Sequence, residues 1–133
     1  MSTYGLEVIP RSECLELLAS QSVGRVGVGG VRPGIFPVVF AMLDGDIVFR
    51  TAPGEKLIAA ALHRDVVFEV DRYDVESRTG WSVNVIGIIE ELREPAARDR
   101  AEALELEPWA GEWRDRYCAV RTRDVTGRRI RTN

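Results

Sequence analysis

Apolar residues recur along this chain with two periods, and the switches between them mark its elements. From Glu13 to Ala19, Leu15, Leu17 and Leu18 lie on or near one side, which predicts a helix. Ser12 stands where an N-cap belongs, and Glu13 suits the positive end of the helix dipole. Between Ser22 and Gly29 the period drops to two: Val26 and Val28 share one face, Arg25 and Gly27 the other. That segment predicts a strand, and the run from Gly29 to Gly34 a turn. Ile35 to Met42 is a second strand. Its Pro37 demands an edge, a bulge, or a place where something other than a strand lies against the backbone. Asp44-Gly45-Asp46 is a hairpin signal, followed by a third strand from Ile47 to Arg50.

The second half repeats this grammar. Pro53 to Leu62 predicts a helix with Leu57, Ile58, Ala61 and Leu62 on its apolar face. Val66 to Val70 reads as a short buried strand and Asp71 to Arg78 as a polar loop. Trp81 to Leu92 is a long strand, with Gly87 at a bulge or close approach. Pro95 to Leu106 is a charged helix, and Pro108-Trp109-Ala110-Gly111 breaks it. Tyr117 to Val125 is the last strand, and Gly127 to Arg131 trails after it. Strands joined by short turns favour a mainly β, largely antiparallel sheet that closes into a barrel.

Composition narrows the class. The 133 residues suit one domain spanning 1–133, and 18 Lys and Arg against 21 Asp and Glu argue against a dedicated nucleic-acid binder. Cys14 and Cys118 are far apart, with no metal-ligand spacing, so two reduced, buried thiols and no metal site are expected. Residues Met1 to Arg11 carry no signal-peptide pattern, and the apolar stretch Ile35 to Leu43 is too short to span a bilayer. A cytoplasmic protein without membrane contact is the expectation.

Three segments carry candidate chemistry. In Arg50-Thr51-Ala52-Pro53-Gly54-Glu55-Lys56-Leu57 a strand ends and a helix begins. A helix N-terminus offers unpaired N–H groups to an anion, Gly54 allows close backbone approach, and Thr51, Arg50 and Lys56 supply a hydroxyl and two cations. The same residues also read as a capped helix with two solvated cations. In Thr79-Gly80-Trp81-Ser82-Val83-Asn84, polar Ser82 and Asn84 alternate with Trp81 and Val83. Covered, that polar face needs a partner; uncovered, it is a solvent-facing side. In Phe36-Pro37-Val38-Val39 the backbone around Pro37 is free to meet a ligand, or the strand is simply an edge.

Taken in order, Gly24-Arg25-Val26, Pro37-Val38, Arg50-Thr51-x-x-Gly54-x-Lys56-Leu57, Phe68-Glu69-Val70-Asp71 and Gly80-Trp81-Ser82-Val83-x-x-x-Gly87 resemble the pyridoxamine 5′-phosphate oxidase-like flavoproteins, most of all the short actinobacterial-type members. The resemblance covers Glu13 to Glu91, with an echo at Pro108-Trp109-Ala110 and Val125 to Ile130. It implies a split β-barrel of six antiparallel strands, of the flavin-reductase type, forming a homodimer with FMN at the subunit interface. It places Arg50, Thr51 and Lys56, with Gly54 and Leu57, at the flavin phosphate. It sets Pro37, Val38 and Val39 along the isoalloxazine through their backbone, Ser82 and Val83 near its polar edge, and Trp109 at the partner's cofactor. It implies an oxidoreductase acting on a small molecule, with no catalytic side chain named. The family's Arg-x-His substrate element is missing: the segment reads Gly127-Arg128-Arg129-Ile130, and the lone His63 lies after the phosphate loop. Pyridoxamine phosphate is therefore not the expected substrate.

Other chemistry finds little support. Glu90-Glu91 alternate across a strand, Asp44 and Asp46 sit in a turn, and one histidine leaves no base for a nucleophile. Arg121, Arg123, Arg128, Arg129 and Arg131 form a basic stripe, expected to be a solvated face. It would also suit the longer anionic tail of an 8-hydroxy-5-deazaflavin coenzyme, the rival cofactor. A non-catalytic flavin or haem carrier is the alternative of a different class.

Overall fold

Period-two patterning gives each strand an inward and an outward side, and here the inward sides close on one another. The computed structural model describes residues 5–30, 33–51, 61–107 and 116–131. Their elements are β1 (Gly5–Val8), α1 (Arg11–Ala19), β2 (Val23–Val28), β3 (Gly34–Leu43), β4 (Asp46–Thr51), β5 (Asp65–Asp74), β6 (Thr79–Glu91), α2 (Pro95–Glu102) and β7 (Arg116–Arg131). The order β7-β4-β3-β2-β5-β6, with β6 pairing back to β7, makes a closed six-stranded antiparallel barrel. Closure removes the open edges that a flat sheet leaves. β1 is added outside the ring, against Arg128–Arg131 of β7.

The interior is filled by Val26, Phe40, Ile47, Phe49, Phe68, Val83, Val85, Ile89 and Val120, and α1 adds Cys14 and Leu18 to the same cluster. Phe40 and Phe68 meet edge to face at 4.7 Å. Gly24 makes room for that pair, because a Cβ there would lie 2.2 Å from the Phe68 ring. A second apolar layer lies outside the barrel. Ala101 of α2 and Leu106 pack with Val48, Tyr117, Ala119 and Leu92, flanked by Val39, Ala41 and Leu43 of β3. The β3–β4 hairpin turns through Asp44 (φ 52°) and Gly45 (φ 83°), the paired positive φ of a type I′ turn.

Several sequence expectations need correction. Ser12 does not cap α1: the helix starts at Arg11, Pro10 holds the N-cap position without a side-chain bond, and Cys14 N–H donates to Pro10 C=O at 2.9 Å. Asp71–Asp74 is strand, not loop, paired with Thr79–Ser82. The residues following Tyr73 are exposed on both sides, so the ladder, not burial, holds them extended and no apolar alternation advertises the strand. Gly127 to Arg131 continues β7 instead of trailing from it. The charged helix ends at Glu102, short of Leu106. Gly87 is a close approach, with a prospective Cβ 2.2 Å from Arg121 C=O, and the register shift beside it places the extra residue on β7.

The basic stripe is also not a merely solvated face. Arg121 pairs with Asp46 at 3.0 Å and Glu90 at 3.1 Å, Arg123 with Asp65 at 3.0 Å, and Arg131 with Glu7 at 2.9 Å. Arg129 binds Glu7 and Glu13, tying β1 and α1 to β7. The helix expected over Pro53 to Leu62 lies outside the described residues except for its end, where Ala61 is helical and buried. No helix among the described residues is long and apolar enough to cross a membrane.

Candidate functional site

Among the described residues the barrel is split between β3 and β4. The β3–β4 ladder stops at Phe40↔Phe49, yet β3 extends back to Gly34 and β4 runs on to Thr51 along β7. Phe40 N–H donates to Ser22 C=O at 3.0 Å. Alternation then points the amides of Val38 and Phe36 at β2, and the backbone of Ile35, Pro37 and Val39 away from it. Pro37 therefore lacks its N–H on the side that no strand covers among the described residues, so it breaks no ladder bond. Of the readings left open for Pro37, the structure shows an edge that no described strand covers.

Arg50 and Thr51 end β4 beside this edge. Their side chains leave the strand on opposite faces. Thr51 is buried, at 4% exposure. Arg50 turns outward, where its Nη1 donates to Leu106 C=O at 2.8 Å and its guanidinium stacks over Tyr117 at 5.4 Å. Arg98 of α2 lies over the same ring at 5.6 Å. Arg50 thus also fastens the segment after α2 to the barrel. Gly54, Lys56, Leu57 and Trp109 lie outside the described residues.

Pro37, Val38, Val39, Arg50 and Thr51 are brought together at the split. Ser82 and Val83 are not. Ser82 pairs with Asp71 of β5 and Arg128 of β7. Three strand steps separate β6 from β3, about 14 Å at the usual strand spacing. Val38 and Val83 both point into the barrel core, so a ligand outside the wall meets only their backbone. Ser82 and Asn84 do alternate outward from Val83 and Val85 as the sequence pattern requires, while Trp81 packs on the core.

Sequence reasoning missed one constellation on the open wall between these two parts. Arg25 Nη1 lies 3.3 Å from Glu69 Oε1 and 3.4 Å from Asp71 Oδ2. With Asn84, Ile35 and Val67 they line a groove of about 410 Å³. Burial, followed by the hydrogen bond and charge of Asp71, raises the Glu69 carboxyl to about 6, against the opposing pull of Arg25. Glu69 and Asp71, two apart, share a face of β5, but that Asp71 is strand and that Arg25 lies opposite follow only from the pairing of β5 with its neighbours. The cysteines offer no chemistry. Both are free and buried, and burial pushes the Cys118 thiol up to about 12. His63 is an exposed residue with φ 64° whose N–H donates to Ile89 C=O at 2.8 Å.

Comparison with known proteins agrees with this geometry. The family model described as pyridoxamine 5′-phosphate oxidase matches residues 10–129. The uncharacterized protein Rv0080 of Mycobacterium tuberculosis (strain ATCC 25618 / H37Rv) is 36% identical over 128 residues, covering 92% of this chain and 84% of that protein. The structure of the FAD binding protein from Mycobacterium smegmatis superposes with a TM-score of 0.80 at 36% identity, over 94% of this chain and 100% of that one. A putative pyridoxamine 5′-phosphate oxidase from Corynebacterium glutamicum gives 0.81 at 31% identity, over 100% and 98%. The split, the closed antiparallel barrel and these matches together show that the chain belongs to the pyridoxamine 5′-phosphate oxidase-like family.

Proposed function

We propose that this protein binds a flavin by its phosphate at the end of β4 and uses it as an oxidoreductase on a small molecule. The observation that carries the reading is the split itself: an uncovered β3 backbone edge beside a strand that ends on Arg50-Thr51. The edge offers N–H and C=O groups to a flat polar ring, and the following Gly54 and Lys56 complete the anion site. The relative that binds FAD adds that flavin to the FMN expected from the sequence. Of the five arginines that would suit a deazaflavin tail, Arg121, Arg123, Arg129 and Arg131 are held in ion pairs along β7, which favours FMN or FAD over the rival.

A bound flavin supplies the redox chemistry through its ring, and the chain supplies binding, orientation and exclusion of water. Arg50 and Lys56 would neutralise the phosphate. Val39, packed beneath α2, would hold its strand in place beside the flavin. Ser82, three strand steps from the split, would serve the flavin of a second copy, in a homodimer with the cofactor between subunits. No side chain is assigned as acid or base.

Quenching of flavin fluorescence on titration with FMN and FAD tests the reading. The wild-type protein takes up at least one of them. Lys56→Ala with Arg50→Ala weakens it at least about tenfold, the loss of one charge-assisted hydrogen bond, with circular dichroism unchanged. Absence of uptake sinks the flavin reading, and equal affinity in the double variant puts the phosphate elsewhere.

A further inference from the structure

The turn that follows α2 is under strain and is held in place by Arg50. Helix α2 ends at Glu102. Leu104 N–H then donates to Ala101 C=O at 3.1 Å and Glu105 N–H to Glu102 C=O at 3.0 Å, so the last turn tightens. Glu105 takes φ 53°, a left-handed conformation that suits glycine and strains a glutamate. The next residue anchors that turn. The Leu106 side chain is buried in the seam with Val48, Tyr117 and Ala119, and its C=O accepts from Arg50 Nη1 at 2.8 Å.

We propose that Arg50 is a clamp shared between this turn and the flavin phosphate, so that flavin uptake and the docking of residues 103–107 strengthen one another. The inference rests on the phosphate reading above and gives that site a link to a segment 56 positions away in the chain. A guanidinium is planar and carries five N–H donors in a fixed fork. One N–H can stay on a carbonyl while another edge grips a phosphate. A lysine, a point charge on a flexible stem, holds no such fork. The place of the guanidinium is set before any anion arrives. Arg50 is paired with Tyr117 across β4 and β7, and its guanidinium carbon lies 5.4 Å from the centre of that ring.

The direction follows from what ordering costs. An arginine loses rotamer freedom when it grips an anion. Here the ring and the Leu106 carbonyl have already removed much of it, so a phosphate meets a guanidinium in position. The reverse holds as well. A guanidinium pinned by phosphate swings less often from the Leu106 carbonyl, and the strained turn at Glu105 opens less often with it. The two effects are equal in size, because coupling between two binding events is reciprocal. Arg98 supplies the comparison. It lies over the same ring at 5.6 Å, but it belongs to α2 and pairs with Glu102 at 3.3 Å within that helix.

Hydrogen exchange of the peptide holding Leu104–Glu107, read by mass spectrometry, tests this with saturating FMN or FAD and with riboflavin, which has the ring and no phosphate. In the wild type the flavin nucleotide should slow exchange there at least about fivefold, the low end of an ordinary coupling, and riboflavin should not. Arg50→Lys should exchange equally fast with and without the nucleotide, and Arg98→Gln should keep the protection. Leu106→Ala loosens the turn from its apolar side and leaves Arg50 and Lys56 in place. It should weaken nucleotide uptake by up to about fivefold, by the same reciprocity, and leave riboflavin uptake unchanged. Exchange that is unchanged or faster when the nucleotide is bound overturns the coupling and leaves the phosphate reading intact. Protection that riboflavin also gives, or that survives in Arg50→Lys, removes Arg50 as the link. Equal loss in Arg98→Gln hands the link to the two cations on Tyr117 and overturns the shared clamp. A protein that quenches no flavin at all sinks the phosphate reading and the coupling together.

Discussion

The two outer walls of this barrel are built from the same period-two strands and meet opposite fates. On one, Val39, Ala41 and Leu43 of β3, Val48 of β4 and Ala119 of β7 point outward and are covered by α2. On the other, Ile35 and Pro37 of the same β3 point outward with Arg25, Glu69 and Ser82, and no described element covers them. The changeover falls within one strand, between Pro37 and Val39, where the β3–β4 ladder ends. A strand that is apolar on both faces reads as doubly buried, yet here half of its outer face is open. Exposed apolar residues thus lie next to charges on a wall that no described element covers.

The largest test of this contrast places a charge on each wall. Ala119→Asp sets an unpaired carboxylate in the dry seam under α2, where Ala119 is fully buried. It should destabilise the fold by about 3 kcal/mol or more. Ile35→Asp on the open wall should change stability by less than about 0.5 kcal/mol in protein dilute enough not to associate. Urea unfolding midpoints give both values, and equal losses would erase the distinction between the walls.

Two glycines of β2 sharpen the comparison from inside to outside. At Gly24 the incoming methyl meets the Phe68 ring at 2.2 Å, and Phe68 is fully buried with nowhere to turn. Gly24→Ala should cost about 1–3 kcal/mol. At Gly27, on the outward side, the nearest atom is 3.7 Å away, so Gly27→Ala should be neutral or slightly stabilising. Thermal melts of the two variants should separate by several degrees, and coincident melts would mean the ring yields.

What could be read from the chain follows the same division. Alternation found the walls whose one side is buried: Val26 and Val28 on β2, and Val83 and Val85 on β6. It failed where burial does not control the backbone. Asp71–Asp74 and Gly127–Arg131 are strands held by ladder bonds and ion pairs, and their composition reads as loop. At the candidate site, Pro37 announced an interrupted edge through its missing donor, and Arg50-Thr51 the end of the neighbouring strand. That Arg50 also anchors Leu106 was not legible, because the contact joins residues far apart in sequence. Neither was the distance of Ser82 from the split, since no local pattern states the order in which strands close a ring. The Arg25 cluster escaped for that reason too: β2 and β5 are neighbours only in space.

The smallest expected effect bears on that cluster within a single chain. Glu69 is raised in the folded state from 4.5 to about 6, by burial first and by Asp71 second. A group raised on folding lends stability that is complete below its unfolded value and is lost as pH rises through its folded one. At pH 8 the ionised Glu69 is therefore a liability, and at pH 4 it is not. Glu69→Gln should stabilise the dilute monomer at pH 8 by less than about 1 kcal/mol, because solvent screens the site, and by nothing at pH 4. Arg25 opposes the shift, so Arg25→Gln should move the Glu69 titration further upward, as followed by carboxyl NMR. A downward move would mean that the two carboxylates do not share the guanidinium, and the open wall would lose the charge centre that sets it apart from the covered one.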